Sequence, residues 1–277
     1  MTFYKMSGSG NDFILVDNRN HAIKPAIASE LARSLCKRKV SVGGDGLILI
    51  ENDPEVDFSW RFYNADGSTA EMCGNGGRCA ARLASMLGIC GLHLSFRTLA
   101  GIIRAEVLGA RVKLQLTSPE DLRLEERLEL NGRSVVGHFV NTGVPHSVFI
   151  MDTLENLEGQ DVVRQGRDVR YHQHYAPAGA NVNFAVVLGQ RLIAVRTYER
   201  GVEDETLACG TGATAVALVA AAKGLVEPPV DVRTQSGETL TIHFDASEEL
   251  PNEVHIEGET KVIYQGQLSE EAVNITM

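Results

Sequence analysis

Two stretches of the chain carry hydrophobic and polar positions in the same order. Apolar runs at residues 13–16 and 148–151 open the pattern, glycine-bounded runs follow at 47–50 and 182–187, and a third run ends at Tyr63 or at Tyr198. Short runs of this kind, punctuated by glycine, predict strands. Each third strand leads through a polar loop to Cys-Gly-x-Gly, at Cys73 and at Cys209, and into an alanine- and leucine-rich segment, 78–87 or 213–223, closed by glycine. Those segments predict one central helix in each half. The apolar run 213–222 is about half of the roughly 20 residues a membrane helix requires, so it reads as a helix buried in protein. A helix apolar around much of its girth needs cover on all sides, which a strongly curved antiparallel sheet from the same half supplies.

The likeness of the halves holds residue by residue. Cys73 and Cys209 are 209 − 73 = 136 positions apart, Gly88 has Gly224 at the same offset, and Arg97-Thr98-x-x-Gly101 recurs as Arg233-Thr234-x-x-Gly237. Upstream of the cysteines the offset is 135, which implies one inserted residue before the second thiol: Gly8 maps to Gly143, Asp17 to Asp152, Gly44 to Gly179, Arg61 to Arg196 and Tyr63 to Tyr198. The chain is therefore read as a duplicated unit of α/β class (α+β type), two pseudo-symmetric domains, each a curved, mostly antiparallel sheet wrapped around a central helix. Residues 118–127 carry Pro119 and dense charge, and Asn131-Gly132 between apolar runs signals a hairpin opening the second half. The expected halves are 1–119, joined by a tail from about 260 to 277 that crosses back, and 120–259.

Composition narrows the partners. The 277 residues carry a formal net charge of −10 and are 44% hydrophobic, an ordinary folded composition without the clustered Lys and Arg that nucleic acid or an anionic membrane selects. A small-molecule substrate is expected instead. The start, MTFYKMSGSGNDF, shows no basic segment followed by a long apolar run, so a cytoplasmic location is expected. Five cysteines, at 36, 73, 79, 90 and 209, with no CxxC spacing, argue against a disulfide framework. Cys36, Cys79 and Cys90 read as packed small hydrophobes.

Cys73 and Cys209 read differently because of where they stand. Glycines beside each cysteine let the backbone turn tightly and present N–H groups, and a helix start adds positive partial charge. Such a place suits a carboxylate. The same field lowers a thiol's pKa and suits it to proton transfer. Were the halves to face each other, one carboxylate would be held by both helix starts, through Gly74-Asn75 and Gly210-Thr211, with a thiol on either side of its α-carbon. That arrangement fits inversion of an α-centre: one cysteine removes the proton from one face and the other delivers a proton to the opposite face, while backbone donors stabilise the developing charge. No pyridoxal cofactor is evident, since a lysine Schiff base needs a phosphate-binding context the sequence does not display.

The segments GSGNDF (8–13), YNADGS (63–68), EMCGNGGRC (71–79), NTGVPHSV (141–148), GANVNF (179–184) and YERGVEDETLACGTGA (198–213) resemble the diaminopimelate epimerases, in order and across essentially the full chain. The resemblance implies a pyridoxal-independent isomerase that interconverts LL- and meso-diaminopimelate for lysine and peptidoglycan synthesis, usually as a homodimer, with a cleft between two pseudo-symmetric domains. It makes Cys73 and Cys209 the acid/base thiols, and Gly74-Asn75 and Gly210-Thr211 the carboxylate-binding helix starts. Asn11, Asn64, Asn181 and the Glu199-Arg200 pair match substrate contacts; His146 and Glu199 match residues near the thiols that tune their protonation. Tyr264 resembles a tyrosine of the dimer interface. The duplication pairs Asn11 with His146, Gly46 with Asn181 and Asn64 with Glu199, so equivalent positions of the halves carry the site.

Two positions depart from the pattern. Gly46 stands where some members have a substrate-contacting Gln, and Val144 where many have an Asn for the distal end of the substrate, so Asn64, Asn181, Arg200 and water are expected to take over distal recognition. The loss of those groups keeps open a two-cysteine racemase of proline, hydroxyproline or histidine; a non-catalytic binding module or a thiol redox protein is disfavoured by the retained His146 and Glu199 and by the absence of CxxC. Without GxxxxGK[ST], the glycines at 43–46 read as a turn between strands. His172 and His174 lack a Cys or acidic ligand set nearby and read as a polar loop, with no metal site.

Overall fold

The protein is described by a computed structural model over residues 1–273; of the expected tail, positions 274–277 lie outside the described residues. Mixed α/β structure, dominated by antiparallel strand pairs, divides into two compact units: Met1–Leu114 together with the chain from Gly258 onward, and Gln115–Glu257.

In the first unit the order is β1 (Thr2–Gly8), β2 (Asn11–Asp17), α1 (Pro25–Leu35), β3 (Gly46–Glu51), β4 (Phe58–Asn64), α2 (Gly74–Met86), β5 (His93–Thr98), β6 (Gly101–Leu108) and β7 (Arg111–Gln115). β1 and β2 pair antiparallel, β2 and β3 parallel, β3 and β4 antiparallel, β4 and β5 parallel, and β5 to β7 antiparallel. The apolar runs in β2 and β3 are continuous because both faces of the sheet are covered. Ile14, Val16, Leu47, Leu49 and Tyr63 pack with Ala28, Leu31, Ala32 and Leu35 of α1, whereas Phe13, Ile48 and Trp60 lie against Gly76 of α2.

The second unit repeats this plan. It contains β8 (Glu120–Leu130), β9 (Arg133–Asn141), β10 (Pro145–Ile150), α3 (Leu154–Glu158), α4 (Val162–Arg170), β11 (Asn181–Gly189), β12 (Leu192–Glu199), β13 (Asp204–Thr206), α5 (Gly210–Ala222), β14 (Val230–Arg233), β15 (Thr239–Phe244) and β16 (Val254–Glu259). β9 and β10 pair antiparallel, β10 and β11 parallel, β11 and β12 antiparallel, β12 and β14 parallel, and β14 and β15 antiparallel. Gly46↔Asn64 in β3–β4 and Val182↔Tyr198 in β11–β12 belong to one register once the offset of 135 is applied. The chain then returns as β17 (Lys261–Gln267), antiparallel to β1, and α6 (Glu270–Val273); Thr260 N–H donates to Ala110 at 2.8 Å.

The central helices coincide under the offset of 136, Gly74–Met86 with Gly210–Ala222. Both end at a glycine of positive φ, Gly88 at 67° and Gly224 at 68°, the left-handed conformation that terminates helices. Burial on nearly all faces of α5, from Gly212 to Ala220, matches the expectation of a helix enclosed by sheet. The helices begin earlier than the expected 78 and 213: the glycines after each cysteine form the first turn itself. Their low helix propensity is offset by close packing, since a Cβ on Gly77 would stand 3.2 Å from Leu114.

Each unit also holds more than its one expected helix. α1 and α4 cover the outer face of the sheet, and Gly166 in α4 exists because the Tyr198 ring lies where a Cβ would be. In each half a strand, β1 or β9, directly precedes the apolar run read as first. In β1 a bulge between Lys5 and Met6 breaks the alternation that would have marked it. The Asn131-Gly132 hairpin is present between β8 and β9, with φ of 52° and 76°, as a two-residue type I′ connection requires.

Candidate active site

In the first unit Cys73 is the N-cap of α2, and its sulfur accepts from the Gly76 N–H at 3.5 Å. The thiol is half-buried. Gly74 has open space where a Cβ would sit, so the first N–H groups, which have no carbonyl partner within the helix, are approachable. Asn75 turns inward. Its Nδ2 donates to Asn11 Oδ1 at 2.8 Å, while its Oδ1 accepts from Arg78 Nη2 at 2.8 Å, a nitrogen that also donates to Ser9 Oγ at 2.8 Å. Arg78 is fully buried. Asn11 in turn donates to Asp45 Oδ2 at 3.0 Å, and Asp45 accepts from Arg38 at 2.9 Å. Burial opposes ionisation of Asp12, but hydrogen bonds from Arg38 and Lys5 outweigh it and lower its pKa. Asn11 and Asn75 are thus fixed to the start of α2 by a polar chain that ends on ion pairs.

Asn64 closes β4 beside Gly46, with its Nδ2 donating to Ser68 Oγ at 3.0 Å. At Gly46 a Cβ would collide with the Phe62 ring and stand 2.7 Å from the Tyr63 carbonyl oxygen. The missing side chain at this position is therefore a packing requirement of the Phe62 ring.

In the second unit Cys209 caps α5 and is buried. Thr211 Oγ1 lies 3.5 Å from its sulfur, and Thr211 O accepts from Thr142 Oγ1 at 3.1 Å. Burial, with the Glu199 carboxylate adding to it, pushes the Cys209 thiol up to about 12 against the lowering influence of Thr211 and Gly212. The helix start alone is expected to lower this pKa, but burial outweighs it. Glu199 is itself raised by burial, with Thr206 acting the other way.

His146 is fully enclosed, and burial, followed by the charge of Arg200, pushes its pKa down to about 3. Asn183 Nδ2 lies 3.1 Å from His146 Nδ1, and Asn181 Nδ2 lies 3.5 Å from Nε2. Asn181 also accepts the Arg200 N–H at 2.8 Å, which joins the expected residues His146, Asn181 and Arg200 into one group, while Glu199 acts on Cys209 through its charge. Val144 is half-buried in the turn before β10.

Several residues of these groups were not expected from the sequence: Ser9, Asp45 and Arg78 in the first unit, Asn183 and Thr197 in the second. Asp45 lies in the glycine-rich 43–46 turn. Cys36 and Cys79 are buried as expected, and burial raises their thiols to about 11 and about 12; Cys90 is half-buried and raised to about 11. His174 pairs with Glu126 at 3.1 Å. Among the described residues no group of three or more His, Cys, Asp or Glu is placed to hold a metal ion, and no helix is long and apolar enough to cross a membrane.

The duplicated fold is shared with solved structures of low sequence identity. A probable proline racemase of Agrobacterium radiobacter K84 aligns with a TM-score of 0.68 at 13% identity, over 100% of this chain and 96% of that one. A phenazine biosynthesis protein of the PhzF family from Bacillus anthracis aligns with a TM-score of 0.70 at 13% identity, over 97% and 99% of the two chains. Likeness at that identity concerns the fold. Sequence defines the family: residues 3–120 and 138–262 match the model for diaminopimelate epimerase. A diaminopimelate epimerase of Aquifex aeolicus (strain VF5) is 49% identical over 284 residues, covering 99% of both chains, and one of Hydrogenobaculum sp. (strain Y04AAS1) is 44% identical over 98% of this chain and 99% of its own. The chain belongs to the diaminopimelate epimerase family.

Proposed function

We infer that the chain is a diaminopimelate epimerase that interconverts LL- and meso-diaminopimelate, in the synthesis of lysine and peptidoglycan precursors, without a pyridoxal cofactor. The observation that carries the reading is that two equivalent, enclosed helices of a duplicated chain each begin at a cysteine. The halves 1–119 with the returning tail and 120–259 each contribute one thiol. Cys73 and Cys209 act as base and acid at opposite faces of the α-carbon and exchange roles in the reverse direction. Burial and Glu199 raise the pKa of Cys209 and so favour its protonated form, which suits it to the acid role. The first-turn N–H groups at Gly74-Asn75 and Gly210-Thr211 hold the α-carboxylate and stabilise charge as it develops there. His146 and Glu199 shape the surroundings of Cys209, and Asn11, Asn64 and Asn181 supply amide contacts to the substrate.

Arg200 recognises the far end of the substrate, a second carboxylate, by a charge-assisted contact. Arg200→Met is expected to lower kcat/KM for diaminopimelate by about 10²-fold, chiefly through KM. The check is a substrate panel of diaminopimelate, proline, hydroxyproline and histidine followed by chiral analysis. An unchanged Arg200→Met enzyme, or a wild type that prefers a monocarboxylic amino acid, contradicts the reading. The chain works in the cytoplasm as a homodimer whose contact surface includes Tyr264, which is 44% exposed and meets Phe3 edge-on at 5.8 Å.

A further inference from the structure

We propose that Asn183 is a positioning residue for the reaction: its side-chain amide holds His146 as the uncharged imidazole with the proton on Nε2, and it braces the first turn of α5 that carries Cys209. The inference rests on the proposed role of His146 beside the thiol. Asn183 is fully buried and every polar atom of its side chain is engaged. Nδ2 lies 3.0 Å from the Ser147 carbonyl oxygen, an acceptor only, so the atom facing it is the amide nitrogen. Oδ1 accepts the Thr197 hydroxyl at 3.0 Å, which agrees with that orientation. The second hydrogen of Nδ2 then points to His146 Nδ1 at 3.1 Å. A ring nitrogen that receives a hydrogen must offer a lone pair, so Nδ1 carries no proton and the neutral ring carries it on Nε2.

Asn181 reinforces the exclusion of charge. Its Nδ2, oriented by the Pro145 carbonyl at 3.2 Å, lies 3.5 Å from Nε2. An imidazolium would set N–H groups against amide donors at both ring nitrogens, whereas the Nε2–H tautomer does so only at the longer of the two contacts, 3.5 Å to Asn181 against 3.1 Å to Asn183. The charged group that acts on the ring is Arg200, which also disfavours an imidazolium. At the helix itself, a Cβ on Gly212 would collide with Asn183 Oδ1 and stand 3.3 Å from Cys209 Sγ. One amide therefore touches both the histidine wall and the turn that aims the thiol. The pattern GANVNF places Asn181 and Asn183 two apart on a strand, hence on the same face.

The test is long-range ¹H–¹⁵N correlation of the imidazoles in the full-length labelled chain, with the His146 signal assigned by its loss in His146→Gln, together with pH profiles of kcat/KM. In the wild type Nδ1 is expected to be unprotonated, Nε2 protonated, and neither to titrate between pH 8 and pH 5.5. Asn183→Asp puts an acceptor where the amide donated, so the proton moves to Nδ1 or the ring becomes charged, and kcat/KM falls about 10-fold or more with a new pH-dependent limb. Thr197→Val, which keeps Asn183, retains the tautomer with a smaller loss. A wild-type His146 that titrates near its ordinary pKa, or that carries its proton on Nδ1, overturns the proposal. So does an Asn183→Asp enzyme with unaltered spectra or unaltered kcat/KM. The spectra read Asn183 independently of turnover: the expected tautomer in a wild type without epimerase activity refutes the proposed function and upholds the hold on His146.

Discussion

Replacing either Cys73 or Cys209 by alanine is expected to lower kcat for diaminopimelate epimerisation by about 10³-fold or more, with the fold retained. In the proposed mechanism each thiol serves one face of the α-carbon, so neither substitutes for the other. Retention of structure follows from the local environment. The Cys73 sulfur receives one long contact from the Gly76 N–H, and the loss of a cap of this kind costs about 1 kcal/mol. Cys209 is buried, but its loss removes a single sulfur from a wall lined by Thr211 and Gly212. Circular dichroism and urea unfolding check the fold, and chiral chromatography of product checks turnover. Near-normal turnover in either folded variant contradicts the assignment of one thiol per face.

A second large effect is expected at Arg78. Arg78→Met is expected to destabilise the chain by about 3 kcal/mol and to lower kcat/KM by about 10-fold or more. The guanidinium is fully buried and donates at 2.8 Å to both Ser9 Oγ and Asn75 Oδ1. Methionine fills much of the volume and supplies no donor, so two buried oxygens lose their partner. Asn75 is then held only by Asn11, and the first turn of α2 loses the registration that aims its N–H groups. Asp45→Asn, which leaves Arg78 in place and weakens only the outer end of the chain through Asn11, is expected to cost less on both measures. Equal stability and activity of Arg78→Met and wild type in urea unfolding and steady-state kinetics contradicts this account of how the helix start is held.

What the sequence made legible was the part of the duplication that keeps its residues in both copies. The offset of 136 between Cys73 and Cys209 locates both central helices, and the glycines at 88 and 224 mark where both stop. Repeats that keep the fold but not the residues, β1 with β9 and α1 with α4, were harder to see. β1 hides behind its bulge between Lys5 and Met6. α1 does show buried positions at Ala28, Leu31, Ala32 and Leu35, a helical spacing that begins at Pro25, but α4 carries Gly166 and three arginines within nine residues and announces no helix. At the candidate site, residues with a chemical signature of their own stood out, as did those that the family resemblance marks. Asn183 and Asp45 did not, because their importance lies in which side chain they meet across strands distant in sequence. Gly46 shows the reverse case: it reads as a lost substrate contact, while the structure explains it by the Phe62 ring that occupies the place of a side chain.

The central claim, two monoprotic thiols acting from opposite faces, is tested most directly by solvent deuterium at early conversion. A cysteine holds one transferable hydrogen. The acid facing the product side has exchanged with solvent, and the base on the substrate side holds the proton it removed. In heavy water, product formed from LL-diaminopimelate should therefore carry deuterium at the inverted centre while recovered substrate carries little, and the reaction started from the meso isomer should show the same asymmetry with Cys73 and Cys209 in exchanged roles. Rapid entry of deuterium into unreacted substrate in both directions, or inversion without solvent label, contradicts the two-thiol mechanism.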